Sequence, residues 1–316
     1  MAATLRDVAG MAGVSIKTVS NVINGYPHIR PATRERVEAA VAELGYTPNL
    51  TARNLRSGRS GAICLALPDL GLSYFGELAA RIIEAAEEAG VVVQIEHTGG
   101  ERERELELLR HPRRNLTDGL IFSALGMSQE DVDALDVTYP MVLLGERIFD
   151  GPTDHVTMQN VAAARAGTEY LLASGRRRIA VVGAHEDEVI GSAGLRLTGY
   201  REALEAAGLP FDEALIGYTT LWHRSNGAET MRSLLDSGVD FDAVFGLNDT
   251  LALGAMRALQ EAGRRIPEDV AVLGFDDVEE ATYSIPSLSS VHPGQDWIAR
   301  TAVRQTTPQP GNGSAG

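Results

Sequence analysis

From residue 61 to residue 290, short apolar runs alternate with longer amphipathic stretches, and few folds accept that alternation. The runs at 62–67, 91–96, 120–122, 141–144, 155–158, 179–182, 243–245 and 270–273 read as strands. Between them, apolar residues recur at helical spacing over 75–89, 160–173, 196–207, 226–237 and 249–262, and Gly90 and Gly175 close the first two helices. Strands that alternate with helices of this length lie parallel, and the helices cover both faces of the sheet. A strand covered on both faces has no solvent side, so its sequence is apolar throughout. The order predicts two doubly wound parallel-sheet blocks, 61–160 and 161–290. A ligand of such a pair lies in the cleft beyond the carboxyl ends of the strands.

The first sixty residues follow a different, all-α pattern. Thr4 is placed to cap a helix, and Asp7, three residues on, suits its positive end. Leu5, Val8, Ala9 and Ala12 then recur at helical spacing, and Gly13 ends the helix because left-handed backbone costs glycine little. Val14 follows as a buried plug, and Ser15 caps a second helix over 16–23. A turn of three to four residues between two such helices is the spacing of a helix-turn-helix. Val19, Val22 and Ile23 face inward. Ile16, Lys17, Ser20 and Asn21 hold the outward face, which reaches base edges when such a helix enters a major groove. A third helix has Pro31 near its start, carries Val37, Val41 and Leu44 on one face, and stops at Gly45. Residues 46–58 form a short arginine-rich helix candidate with one prominent apolar residue, Leu55. Helix nucleation is costly, so this segment is expected to order only when docked.

Net charge at first argues against nucleic acid, because the chain carries -15. The average conceals a division. Residues 1–60 hold eight Lys/Arg against four acids, and the remainder holds 20 against 39. A basic head seeks phosphates while an acidic body is repelled from them. Lys17 is the single lysine of the chain, and it stands on the outward face of the second helix.

The head residues Thr4-Leu5-Arg6-Asp7-Val8-Ala9-Gly10-Met11-Ala12-Gly13-Val14-Ser15, Thr18-Val19-Ser20, Asn24-Gly25, Thr33-Arg34-Glu35-Arg36-Val37 and Leu44-Gly45-Tyr46-Thr47-Pro48-Asn49 closely resemble the lactose/galactose repressor (LacI/GalR) family. The resemblance implies base readout by Ile16, Lys17 and Asn21, with Ser20 on the same face. It implies a hinge helix from Asn49 to Arg56 that orders in the minor groove. There Leu55 would wedge open the central base step and Ala52 would pack on its dimer mate. Thr33, Arg53 and Arg56 would touch the backbone, which positions a protein without specifying sequence.

The body resembles the same family, whose sensory half shares its fold with periplasmic sugar-binding proteins. The matching stretches include Leu67-Pro68-Asp69, Asp118-Gly119-Leu120-Ile121, Gly175-Arg176-Arg177-Arg178, Asn248-Asp249 and Pro267-Glu268-Asp269-Val270 through Asp277. The implied fold is an all-α helix-turn-helix head on an α/β periplasmic-binding-protein-like body. The implied division is 1–47 for the head, 48–60 for hinge helix and linker, 61–160 and 161–290 for the two subdomains, with 291–305 returning to the first. By position, Arg196, Asn248 and Asp276 inherit an effector-binding role, Trp222 is placed to stack on a sugar face, and Tyr74 and Phe75 line the opposite wall. A sugar needs donors, acceptors and an apolar plate, and these residue types supply all three. Asn248 equally suits an N-cap, Asp276-Asp277 a turn with exposed charge, and Phe75 plain core. Gly145-Glu146-Arg147 departs from the family, many of whose members place an aspartate in the pocket there.

Residues 306–316 have no apolar periodicity and read as a disordered tail, where relatives continue the helix. A shortened regulator with impaired effector response or dimerisation is therefore the alternative. A solute-binding transport module shares the body, but the N-terminus shows no long apolar run of the kind an export signal needs, so none is expected, and the chain carries a basic head. The sequence lacks G-x-S-x-G, G-x-x-x-x-G-K-[ST] and a strand-borne G-x-G-x-x-G, and its seven histidines have no metal-ligand spacing, so no enzyme and no cofactor is expected. Cys64 alone fits a reducing cytoplasm, and no run is long enough to span a membrane. The expected partners are double-stranded operator DNA bound as a homodimer at a pseudo-palindrome, and a sugar-like effector. Repression is the output the family resemblance implies, since binding near a promoter blocks polymerase without further contacts.

Overall fold

The computed structural model describes residues 3–23, 25–46, 60–110 and 116–307. The chain forms two compact units, Met1–Ser60 and Gly61–Gly316.

In the first unit α1 (Leu5–Ala12), α2 (Ile16–Ile23) and α3 (Pro31–Leu44) surround a small core. The start of α1 is a reciprocal cap: Asp7 N–H donates to Thr4 Oγ1 at 3.3 Å, and Thr4 N–H donates to the Asp7 carboxylate at 2.8 Å. The Thr4 bonds hold Asp7 below the usual carboxylate range. Gly13 closes α1 at φ 62, and Thr18 N–H donates to Ser15 Oγ at 3.1 Å to begin α2. Val8, Val19 and Val37, one from each helix, are fully buried against one another's helices.

The second unit contains two five-stranded parallel sheets. In the first, β1 (Ala62–Leu67), β2 (Val92–His97), β3 (Leu120–Ser123), β4 (Met141–Leu144) and β5 (Asp154–Val156) lie in the order β2-β1-β3-β4-β5. In the second, β6 (Ile179–Ala184), β7 (Ile216–Tyr218), β8 (Ala243–Gly246), β9 (Ala271–Phe275) and β10 (Ser289–Val291) lie in the order β10-β9-β8-β6-β7. Side chains alternate between faces with a period of two. Ile63, Leu65 and Leu67 therefore pack with α4 (Ser73–Glu88), while Ala66 faces α5 (Arg102–Arg110). In the second sheet Ile179 and Val181 join α6 (Asn160–Ala173) and α7 (Ser192–Ala206), while Ala180 and Val182 join α8 (Arg224–Asp236) and α9 (Asp249–Glu261). The inner strands β1, β3, β4, β6 and β8 thus feed two cores, the physical reason their sequences are apolar with little interruption, whereas the edge strand β2 is largely exposed and mixes in Gln94, Glu96 and His97.

The α8–α9 crossing depends on glycine. A Cβ on Gly254 would stand 2.1 Å from the Arg224 carbonyl oxygen, and one on Gly227 would stand 2.3 Å from that of Leu251. The two helices approach at a distance that no side chain permits.

Several short elements lie outside the sequence expectation: α5, β7, the five-residue α10 (Glu279–Tyr283), β10 and the 3-10 turn Gln129–Leu135. Three-residue strands give too little pattern to read. In α5 only Glu105, Leu106 and Leu109 are buried. Glu105 accepts backbone N–H bonds from Leu125, Gly126 and Met127 at 2.8–3.1 Å, so a carboxylate within a charged run is a turn-holding core residue. The chain stays in the second sheet through Val291, which pairs with Phe275, and returns to the first only afterwards.

That return is α11 (Gln295–Thr306), whose Ile298, Ala299, Ala302 and Val303 complete the core over β1, β3 and β4. The expected tail begins too early in consequence. Thr306 is fully buried, lies over Gly119 and donates its hydroxyl to Ala302 O at 2.8 Å, and Thr307 does the same to Val303 O at 2.7 Å. Both hydroxyls satisfy carbonyls four residues back, a bond that periodicity does not reveal. Residues 308–316 of the expected tail lie outside the described residues.

Candidate functional site

The head presents its candidate surface on α2. At about 100° per residue, Ile16, Lys17, Ser20 and Asn21 fall within roughly 140° of the helix circumference, opposite the buried Val19 and Val22. Ile16 and Lys17 are exposed, and Ser20 and Asn21 are half-buried. Thr33 is half-buried in the first turn of α3. The hinge residues Asn49, Ala52, Arg53, Leu55 and Arg56 lie outside the described residues.

In the body, the carboxyl ends of β1, β3, β4, β5, β6, β8 and β9 open on one cavity of about 630 Å³. The structure brings all six sequence-selected residues to it: Arg196, Asn248, Asp276, Trp222, Tyr74 and Phe75 line its wall. Arg196, from the second turn of α7, is 2% exposed. Its Nε donates to Asn160 Oδ1 at 2.8 Å, its Nη1 to the Leu247 carbonyl, and its Nη2 lies 3.5 Å from Asp276 Oδ1. The guanidinium stacks on Phe275, with Cζ 3.6 Å from the ring centre. Asn248 caps α9, its Oδ1 accepting from Leu251 N–H at 2.7 Å, while also lining the cavity. Trp222 is held by a 2.9 Å bond from Nε1 to Gly183 O. Tyr74 and Phe75 meet edge to face, 5.2 Å apart, and pack on the first-sheet core as they line the wall. Asp276 and Asp277 separate: Asp276 is buried at φ 107, and Asp277 is exposed and lies 3.2 Å from His292. A buried aspartate at positive φ is an uncommon conformation.

Glu146, at the position where the sequence departs from the family's pocket aspartate, lines the wall as well. It is 4% exposed and accepts from Thr157 Oγ1 at 2.8 Å and Met158 N–H at 3.3 Å. It also accepts from Ser192 Oγ at 2.7 Å, across the two sheets. Beside it Arg147 reaches Glu188 at 3.0 Å, and Glu188 also holds His185 Nδ1 at 2.7 Å. Burial pulls Glu188 upward, but His185 and Arg147 outweigh it and keep the carboxyl below its usual range. A second tie joins the sheets where Ser73 Oγ and Arg224 Nη2 both donate to Glu280 Oε1, at 2.6 and 2.7 Å. No local pattern announces such pairs, because the partners lie far apart in sequence.

The buried acids set the electrostatics. Burial pushes Asp276 up to about 8, against the pull of Arg196. Burial likewise pushes Asp249 to about 7, opposed by the bonds it accepts from Ser290 and Val278. Burial, with the charges of Asp276 and Glu146, holds the Tyr74 phenol well above its ordinary value, so it stays a neutral donor. Between the unfolded value of 3.8 and the folded value, the native state binds more protons at Asp249 than the unfolded chain. Its contribution to stability must therefore fall as pH rises from about 4 to about 7, and level off above. Melting temperatures from pH 4 to 9 are expected to decline less steeply over that window in Asp249→Asn than in the wild type. Parallel profiles would show that Asp249 is ionised in the fold throughout.

Among the described residues no helix is long and apolar enough to cross a membrane, and no cluster of His, Cys, Asp and Glu is arranged to hold a metal. Residues 4–49 match the family model described as bacterial regulatory proteins, lacI family, and residues 168–312 match the periplasmic binding protein-like domain. The HTH-type transcriptional regulator CelR of Thermobifida fusca is 37% identical over 311 residues, covering 95% of this chain and 90% of that protein. The solved complex of transcriptional regulator CelR with cellobiose superposes with a TM-score of 0.69 at 33% identity, covering 96% of this chain and 91% of that one. The lac repressor dimer bound to operator and an anti-inducer superposes with a TM-score of 0.82 at 30% identity, covering 97% and 92%.

Proposed function

The chain belongs to the lacI family of bacterial regulatory proteins, and from that membership we propose how its own residues divide the work of a DNA-binding repressor controlled by a sugar. As a homodimer it places α2 of each head in the major groove of a half-site. Ile16, Lys17, Ser20 and Asn21 read base edges there, and Thr33, Arg53 and Arg56 hold phosphates. Residues 48–60 are the hinge, with Asn49, Ala52 and Leu55 at the minor groove between the half-sites. Residues 1–47 are the reader. Residues 61–160, rejoined after 291, and 161–290 are the two halves of the sensor. The protein works in the cytoplasm, by binding and not by catalysis.

In the cleft, Arg196, Asn248 and Asp276 meet sugar hydroxyls, and Trp222, Tyr74 and Phe75 offer apolar plates to the ring faces. One observation carries the sensory reading: residues from both sheets converge on a single polar and aromatic cavity of about 630 Å³. A ligand there contacts both subdomains, so its binding free energy biases the angle between them and hence the approach of the paired hinges. An effector that favours the non-binding angle releases DNA, and one that favours the other acts as a co-repressor.

The test is selection from a random duplex pool by the purified dimer, followed by addition of sugars. Enrichment of a pseudo-palindrome whose occupancy changes at least tenfold with a sugar is the expected result. No enrichment over random competitor would remove the operator assignment, and an enriched site indifferent to every sugar would remove the effector assignment.

A further inference from the structure

We propose that the effector is an uncharged glycoside of at least two rings, with one ring inside the cleft and the second on an apolar lip formed by Leu125, Tyr218 and Leu221. A sugar phosphate, a sugar acid or a lone monosaccharide is then a poor ligand. The inference rests on the sugar-effector reading above and goes beyond it in naming charge and size.

Charge comes first. Five carboxylates line the cavity (Asp69, Glu146, Glu186, Glu188 and Asp276) against two arginines, Arg147 and Arg196. Each arginine already faces a carboxylate: Arg147 lies 3.0 Å from Glu188, and Arg196 lies 3.5 Å from Asp276 while also serving Asn160 and the Leu247 carbonyl. The two lining histidines are engaged in the same way, His185 on Glu188 at 2.7 Å and His223 on Asp69 at 3.5 Å. An entering phosphate would find every lining cation spoken for. It would also meet the charge of Glu146 within the wall and of Glu186 at the exposed edge, and a cleft walled by protein screens that repulsion less than open solvent does. With carboxylates counted against the two arginines alone, protonation of Asp276 removes one of the five negative charges and leaves a surplus of two. Glu146 needs no cationic ligand, because two hydroxyls and a backbone N–H already donate to it. Carboxylates accept and do not donate, so what the wall asks of a ligand is hydroxyl donors.

Size and shape come next. The cavity is of the volume that encloses a drug-sized ligand, and a single pyranose of roughly a dozen heavy atoms would leave much of it to water. Leu125, Tyr218 and Leu221 line the cavity and yet are 45%, 37% and 56% exposed, which places them where it meets solvent. Apolar side chains left open at the lip of a polar cleft lose nothing by covering the face of a second ring and gain from its burial. The first ring, by contrast, lies among Tyr74, Phe75, Trp222 and the buried Arg196.

The experiment is calorimetric titration of the full-length dimer with cellobiose, lactose, maltose and sucrose, with glucose and galactose, and with glucose 6-phosphate. At least one disaccharide is expected to bind tenfold or more tightly than either monosaccharide, and glucose 6-phosphate at least tenfold more weakly than glucose. In Leu221→Ala, an exposed-lip variant, the ratio of that disaccharide's affinity to glucose affinity should fall severalfold. Tightest binding by glucose 6-phosphate, or equal binding of mono- and disaccharides, overturns the inference while leaving the sugar reading intact. An unchanged ratio in Leu221→Ala overturns the lip. No heat with any member of the panel, from protein that still binds its operator, overturns the sugar reading itself.

Discussion

Replacing Arg196 with alanine should lower the melting temperature by on the order of 10 °C and abolish the response to sugar. The reason lies in what the guanidinium holds. Three of its nitrogens are committed, to Asn160 Oδ1, to the Leu247 carbonyl and toward Asp276, and its face covers Phe275. Truncation leaves a buried acceptor on each partner and a carboxyl with no counter-ion, and removing one side of a buried pair costs about 3–5 kcal/mol. Asp276 is already pushed to about 8 and can take a proton, which softens the loss near neutrality. The penalty should therefore grow at alkaline pH, where that proton is gone. Arg196→Lys keeps the charge but not the planar fork, so it should recover part of the stability and little of the response. From sequence, Arg196 looked like a ligand contact alone. Its near-complete burial makes it also a strut that joins α6, the end of β8 and the end of β9. Circular dichroism melts and operator binding with and without sugar check both claims, and an alanine variant with wild-type melting and response would refute them.

The second large effect is expected in the head. Asn21→Ala and Lys17→Ala should each relax base preference at a defined half-site position, by about 1–3 kcal/mol, or roughly 5- to 150-fold, against the wrong base. Both side chains stand on the accessible face of α2, clear of the buried Val8, Val19 and Val37, so neither substitution removes core. Folding should be untouched, which separates lost readout from lost structure. Lys17 adds a charge that Asn21 lacks. If it also neutralises a phosphate, its loss should reduce the salt dependence of binding by about one counter-ion as well. Affinity measured over all single-base variants of the selected operator decides the matter. A drop of equal size on every sequence would mean that these residues touch backbone, and the reading surface would lie elsewhere on the head.

Much of the fold was legible because its signals are local. Thr4 with Asp7, Gly13, Ser15 and Gly45 are each read from a few neighbouring residues, and all four positions begin or end a helix as expected. The inner strands, β1 and β6 above all, were legible because burial on two faces leaves a nearly uninterrupted apolar run. What escaped was short or paid for by distant partners, as with β7, β10 and the buried Glu105. The six cleft residues were found through the family resemblance, and their convergence follows from strand order. Glu146 was marked only by its departure from the family's pocket aspartate, and Glu188 and Glu280 carried no signal, since a carboxylate on a surface and one tying two sheets together look alike in a list of residues.

The chain's own order of residues thus determined its class: a basic helix-turn-helix reader, and a body of alternating strands and helices with ligand-facing loops at one end. Those properties depend on periodicity, capping and local charge, which act over one or two turns of chain. Only the tertiary structure decided which acids are buried together, which cations are already engaged and where the cleft meets solvent. Such properties arise from the desolvation and pairing of groups brought close from far along the chain, as with Arg147 and Glu188.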